Sequence, residues 1–232
     1  MKNIHNRRDF LKKSAYGTFA GIAGVGFLSG CTEKSEEEEE ISPAEDLMRE
    51  HGVLNRILLI YDHYKTQLGQ NADLSLAPLL QSATIIRRFV EDYHEKLEED
   101  FLFPRFEKAG NLTDLVSVLK DQHKAGRILT DQILNLSKAK TLTATDAKKL
   151  IQLLNGFVVM YRPHEAREDT VLFPALKKIV SSHEYSALGE DFEKKEHQLF
   201  GEDGFETMVN RVSEIEKQLN IYDLAKFTFG AQ

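Results

Sequence analysis

The chain has 232 residues, of which 41% are hydrophobic and 29% charged, with a formal net charge of −7. That length allows one or two domains with a real core, and the acidic balance argues against nucleic acid as the main partner. A single cysteine, Cys31, excludes an intrachain disulfide and a thiolate metal cluster.

Residues 1–30 carry five Lys/Arg against one Asp, a net +4, which leaves −11 on the remainder. Arg7-Arg8-Asp9-Phe10-Leu11-Lys12 resembles a twin-arginine export signal. Ser14 to Leu28 is apolar, but too short and too rich in glycine for a transmembrane helix. It ends in Leu28-Ser29-Gly30-Cys31, which resembles a bacterial lipobox, whose cysteine becomes the lipidated first residue of the mature protein. The expectation is an exported bacterial lipoprotein, held on the periplasmic or extracytoplasmic side of a membrane through Cys31. The alternative is an uncleaved signal anchor with a chance cysteine. Residues 31–41 form an acidic linker, because the six Glu between Glu33 and Glu40 repel one another and stay solvated.

From Ser42 onward there is no run of alternating strand pattern, and the chain reads as helices. Ser42-Pro43-Ala44-Glu45 is a capping box with proline at the first helical position. Helix one then runs to about Leu68, with Leu47, His51, Leu54, Leu58 and Tyr61 on its apolar stripe. Helix two, from about Leu74 to Lys108, turns Leu79, Ala83, Ile86, Val90, His94, Leu97 and Phe101 inward. Helix three, from about Leu112 to Leu136, carries Leu112, Val116, Leu119, His123 and Gly126 on one side. Helix four, from about Ala144 to Val180, presents Leu150, Leu154, Phe157, Tyr161, His164, Glu168 and Val171. Ser181-Ser182-His183-Glu184 is another capping start, and one or two further helices reach about Tyr222, interrupted near Gly201-Glu202-Asp203-Gly204. The fold expected is all-α: an up-down-up-down four-helix bundle over residues 42–180, with a C-terminal helical extension over 181–232.

Each of the four main helices places one histidine inside its apolar stripe: His51, His94, His123 and His164. A lone inward histidine is an ordinary core residue. Four at a similar depth, one per helix, would each cost free energy if unpaired, and a shared metal satisfies them together. A repeat strengthens the point. Residues 94–108 read HEKLEEDFLFPRFEK and residues 164–178 read HEAREDTVLFPALKK, identical at seven of fifteen positions. The first-helix histidine precedes the second by 43 residues in one copy and 41 in the other, so the chain contains one helix pair twice.

On a helix, residues four apart share a face. His94 with Glu98, and His164 with Glu168, can therefore each offer a nitrogen and carboxylate oxygens to one place. Four imidazoles and two carboxylates suit a dinuclear site of intermediate-hardness metal, iron foremost, with manganese and zinc as alternatives. Six such groups do not fill two octahedral shells, so positions stay open for water, oxygen or another small ligand.

With the trailing Leu-Phe-Pro segments, His51, His94-x-x-x-Glu98, His123 and His164-x-x-x-Glu168 resemble the hemerythrin-like HHE cation-binding family across residues 43–180. Residues 181–220 are similar, more weakly, to the extension of longer bacterial members. The resemblance implies a left-handed four-helix bundle around a non-heme di-iron centre that binds or senses oxygen, nitric oxide or iron. By position it implies that His51 and His94 ligate one iron and His123 and His164 the other, with Glu98 and Glu168 bridging. Two departures matter. Oxygen-carrying members have a second histidine one turn after the first on helix three, where Arg127 stands here. Their last carboxylate is an Asp five residues after the helix-four histidine, here Asp169. The repeat favours Glu168, which matches Glu98, and leaves Asp169 and Glu99 as second choices.

Glu91-x-x-His94 has ferritin-like spacing, but Tyr161 stands where a second copy needs Glu. His94-Glu95 and His164-Glu165 begin like a zinc-protease motif, with Glu where its second His belongs. His63 and His183 read as surface, His197 as surface with a place behind the site as the alternative, Arg87, Arg88 and Arg162 as a solvated face with one able to pair with a ligand carboxylate, and Tyr93 and Tyr161 as core packing beside the site, with hydrogen bonding near it as the alternative. The leading expectation is a membrane-anchored di-iron protein whose partner is a small ligand such as oxygen, nitric oxide or peroxide. The alternative is a di-iron oxidoreductase acting on peroxide or nitric oxide, and the third reading is a metal-free structural bundle.

Overall fold

The computed structural model describes residues 41–70 and 74–230. The twin-arginine segment, Cys31 and the acidic run lie outside the described residues. Among the described residues the regular structure is entirely helical. The six main helices are α1 (Pro43–Gly69), α2 (77–109), α3 (Thr113–Ser137), α4 (144–179), α5 (Ser182–Phe200) and α6 (Gly204–Gln218). A short 3₁₀ turn, Leu224–Phe227, follows. No helix among the described residues is long and apolar enough to cross a membrane.

Helix starts follow local chemistry. Ser42, Thr143 and Ser181 each accept the N–H three residues on, from Glu45, Asp146 and Glu184, which satisfies a donor that the first turn leaves open. Helix α1 packs on α2 and α4, and α3 packs on the same two, so the four form a ring around one core. The α5–α6 pair lies mainly across α1 and α2, with Lys177 of α4 set over the Tyr185 ring of α5. It is held there by buried Leu188, Phe192, Met208, Val212 and Ile215, and by Arg56 paired with Glu216.

Helices α2 and α4 are not regular throughout. Both widen into a π turn just before a proline, over Glu98–Leu102 ahead of Pro104 and over Glu168–Leu172 ahead of Pro174. Proline has no N–H to donate, and its ring crowds the carbonyl four residues back. The Phe103 and Phe173 amides accordingly reach five residues back, to the Glu98 and Glu168 carbonyls. The extra residue turns the following face. Phe101 and Val171, expected inward by simple periodicity, are only half-buried, and Leu102, Phe103, Leu172 and Phe173 take the core positions. Leu112 is also half-buried, because it caps α3 with a left-handed φ of 51° instead of joining its stripe. Helix α2 begins at Ala77, later than the sequence pattern suggests, with Pro78 in its first turn.

Candidate metal centre

The six candidate residues meet at one level of the bundle, and all are buried. They form two groups, each with its donor atoms within 4.8 Å of one another. One is His51, His94, Glu98 and Glu168; the other is Glu98, His123, His164 and Glu168. The two glutamates belong to both groups. His51 Nε2 and His164 Nε2 lie 3.4 and 3.2 Å from Glu168 Oε2. His123 Nε2 and His94 Nε2 lie 3.4 Å from Glu98 Oε2 and 3.7 Å from Glu98 Oε1.

Every imidazole faces the centre with Nε2 because Nδ1 is engaged behind it. Nδ1–H of His51 donates to Asp169 at 2.8 Å, that of His94 to Glu50 at 2.8 Å, that of His123 to Glu99 at 3.1 Å and that of His164 to Gln122 at 2.9 Å. These acceptors fix the tautomer and the ring plane, which is how outer partners serve a histidine ligand. Asp169 and Glu99, the second choices from sequence, therefore stand behind the rings. Glu50 and Gln122 were not singled out from sequence. Their only signal was a polar residue directly before the first-helix histidine in each repeat.

The contacts obey the repeat. Asn55 Nδ2 donates to Glu165 at 2.9 Å, and its counterpart Arg127 pairs with Glu95 at 2.7 Å. Arg127 also donates to Glu99 at 2.7 Å, so it holds two acids and leaves the inner face to the histidines. Two further acid groups fall outside the centre. Glu95 and Glu99, on the Nδ1 side of His123, already have the Arg127 guanidinium as their cation. Asp46, Glu50 and Glu196 lie behind His94. Glu91 pairs with Arg87 at 2.7 Å and joins neither four-residue group, and Arg162 pairs with Asp62. His183 is exposed, and His63 and His197 are half-buried outside every group. Tyr93 and Tyr161 do more than pack: their hydroxyls donate to Glu50 at 2.9 Å and to Glu95 at 2.7 Å. A Cβ on Gly126 would stand 2.0 Å from the Tyr161 hydroxyl oxygen, so glycine is what admits that ring.

The electrostatics are those of a cation site. Both oxygens of Glu98, both of Glu168, and His94 Nε2 are buried without a well-formed hydrogen bond among the described residues. Buried carboxylate oxygens left this way are costly, and a metal ion relieves the cost. Burial and the facing Glu168 charge push Glu98 well above the usual carboxylate range. Burial also opposes the Glu168 charge, but His164 and His51 hold it well below that range. One negative charge is thus favoured on the pair. Burial opposes protonation of His51 too, yet its bonds to Asp169 and Glu168 raise it to about 10. Burial lowers His123 to about 4 in spite of Glu99.

Residues 42–176 match the hemerythrin HHE cation-binding domain. The chain belongs to that family. Among its relatives, uncharacterized proteins of Mycobacterium tuberculosis and Mycobacterium bovis are each 48% identical over 223 residues, covering 90% of this chain and 87% of their own length. No solved structure is a significant match. The family binds cations, typically iron, and the two groups of buried histidine and glutamate in this HHE bundle can hold metal ions.

Proposed function

We propose that the bundle carries a dinuclear non-heme metal centre, iron foremost, with His51 and His94 at one ion, His123 and His164 at the other, and Glu98 and Glu168 serving both. The observation that carries this is the sharing: two buried four-residue groups with two carboxylates in common, whose four oxygens lack well-formed hydrogen bonds among the described residues. Nitrogen and carboxylate donors in this ratio suit iron, then manganese and zinc. A redox-active pair supplies, when bound, a place for a small ligand such as oxygen or nitric oxide and electrons to exchange with it. The chain supplies the rest. Asp169, Glu50, Glu99 and Gln122 fix the imidazoles, the packed Phe103 and Phe173 rings exclude water from His123 and His51, and Arg127 holds Glu95 and Glu99 in place.

In this reading the protein binds or senses a small ligand, or iron itself. A di-iron oxidoreductase acting on peroxide or nitric oxide is the second reading, favoured by Arg127 in place of a fifth histidine, which leaves the ions more open. Metal content with an absorption spectrum tests the proposal. About two irons per chain with ferric bands in the near-ultraviolet are expected; a folded, helical, metal-free protein after iron supply overturns it in favour of a structural bundle. Catalytic consumption of peroxide by the reduced protein, beyond stoichiometric oxidation, selects the oxidoreductase. We also propose export and anchoring through Cys31. Arg7→Lys with Arg8→Lys is expected to block export, and unimpaired export of that variant removes the idea.

A further inference from the structure

The two halves of the centre are backed differently. Behind His164 the chain of contacts is short: Nδ1–H donates to Gln122, whose amide is half-buried. Behind His94 it is longer and buried as far as Glu196. Nδ1–H donates to Glu50 Oε2, and the other oxygen of Glu50 accepts the Tyr93 hydroxyl at 2.9 Å. The Tyr93 hydroxyl also lies 3.4 Å from Glu196 Oε2 on α5. Glu196 Oε1 in turn accepts the Phe205 amide at 2.7 Å, in the first turn of α6. The close approach of α6 depends on glycine, since a Cβ at Gly204 would stand 2.7 Å from Glu196 Oε1. At the position of the repeat equivalent to Tyr93 stands Pro163, which has no hydroxyl to offer, and α5–α6 packs mainly on the α1–α2 side.

We propose that Tyr93 is a positioning residue for His94, held between Glu50 and Glu196, and that the C-terminal helix pair thereby makes the His51–His94 position the tighter of the two metal positions. The inference rests on the metal-binding reading above. Glu50 is an acceptor with two oxygens, and one must stay aimed at His94. The Tyr93 hydroxyl occupies the other and keeps the carboxylate from rotating, while α5 keeps the Tyr93 ring from following it. A carboxylate so held also pulls harder on the imidazole proton than the Gln122 amide can, which strengthens Nε2 as a donor.

The test is a cobalt(II) titration of the metal-free full chain, followed by absorption, with His94→Ala and His164→Ala assigning each binding step to a half. The wild type is expected to fill in two steps, the tighter lost in His94→Ala. Tyr93→Phe, which removes one oxygen and leaves the ring packing, is expected to weaken the tighter step at least about tenfold and leave the other unchanged. Glu196→Ala acts in the same direction by less, because its contact to Tyr93 is the longer one. Glu50→Gln brings the first step toward the level of the second. Thermal melting of each metal-free variant confirms that it folds. Tyr93→Phe titrating like the wild type, or losing affinity equally at both steps, overturns the inference while the metal centre stands. A wild-type chain that binds no cobalt, and no iron, overturns the metal centre itself.

Discussion

The α1–α2 half and the α3–α4 half of the bundle are built from one plan, and they differ in charge. Glu50, Asn55 and Glu99 of the first half stand where the second has Gln122, Arg127 and Asp169. The hydrogen bond behind each histidine recurs across the repeat, yet His51 is raised to about 10 and its counterpart His123 lowered to about 4. Burial opposes charge on both rings. The difference is the carboxylate each meets: His51 lies against Glu168, the acid that keeps its charge, and His123 against Glu98, the acid that burial and Glu168 keep protonated. A symmetric ligand set thus does not make a symmetric site.

The largest effect tests what the halves share. Glu168→Gln or Glu98→Gln alone is expected to take bound iron from about two per chain to near zero, because each glutamate serves both four-residue groups. Elemental analysis of the purified variants checks this, and a variant that keeps one full equivalent breaks the shared-carboxylate reading. Next in size, His94→Ala and His164→Ala are each expected to remove one ion and leave the other half bound. Loss of both ions from either variant would mean that the halves are not separable.

The four inward histidines and the repeat were legible in the sequence because helical periodicity and spacing both report them, and the structure brings those residues together. The π turns were not legible. A Leu-Phe-Pro segment signals that the hydrogen-bond ladder is interrupted, but not whether the helix ends, kinks or widens there. Phe101 and Val171 are therefore expected inward, one residue short of the Leu102 and Leu172 that take the core positions. Glu50 and Gln122 escaped for another reason. A residue adjacent to an inward histidine sits about 100° around the helix from it, so a stripe reading assigns it to the flank. Only the neighbouring helix reveals what it faces. Arg127 was legible as a departure from the oxygen-carrying pattern, but its pairing with Glu95 and Glu99 is a tertiary fact.

A third prediction concerns pH in the metal-free chain. Burial raises Glu95 to about 8 and Glu165 to about 7, and His51, despite burial, is raised to about 10. All three bind protons more tightly folded than unfolded, so their contribution is present at low pH and is lost as pH rises through the folded values. His123, lowered by burial to about 4, acts oppositely, but only below its unfolded value near 6.5. Between pH 6 and pH 8 the metal-free protein is expected to lose on the order of 5 kcal/mol, read as a falling melting temperature. Metal loading should reverse the trend, because ligands bind metal deprotonated. A metal-free melting temperature that rises over this range would contradict the assignment.

The smallest expected effect isolates a difference in packing. Gly126 and Tyr161 in the second half correspond to Leu54 and Glu91 in the first, so one half fills with a phenol the space that the other fills with a leucine. Gly126→Ala puts a methyl 2.0 Å from the Tyr161 oxygen, and the ring must move off Glu95, its hydrogen-bond acceptor. Overpacking of this kind costs about 2 kcal/mol, or roughly 5 °C in melting temperature for a chain of this size. The closest atom is the hydroxyl oxygen, with two ring carbons behind it at 2.8 and 2.9 Å. Tyr161→Phe in the Gly126→Ala background should therefore recover part of the loss, while Tyr161→Phe alone destabilises by taking the hydroxyl donor from Glu95 Oε1. That sign reversal in a double-mutant cycle is what distinguishes a steric clash at Gly126 from a general loss of helix packing, in which the two substitutions would simply add.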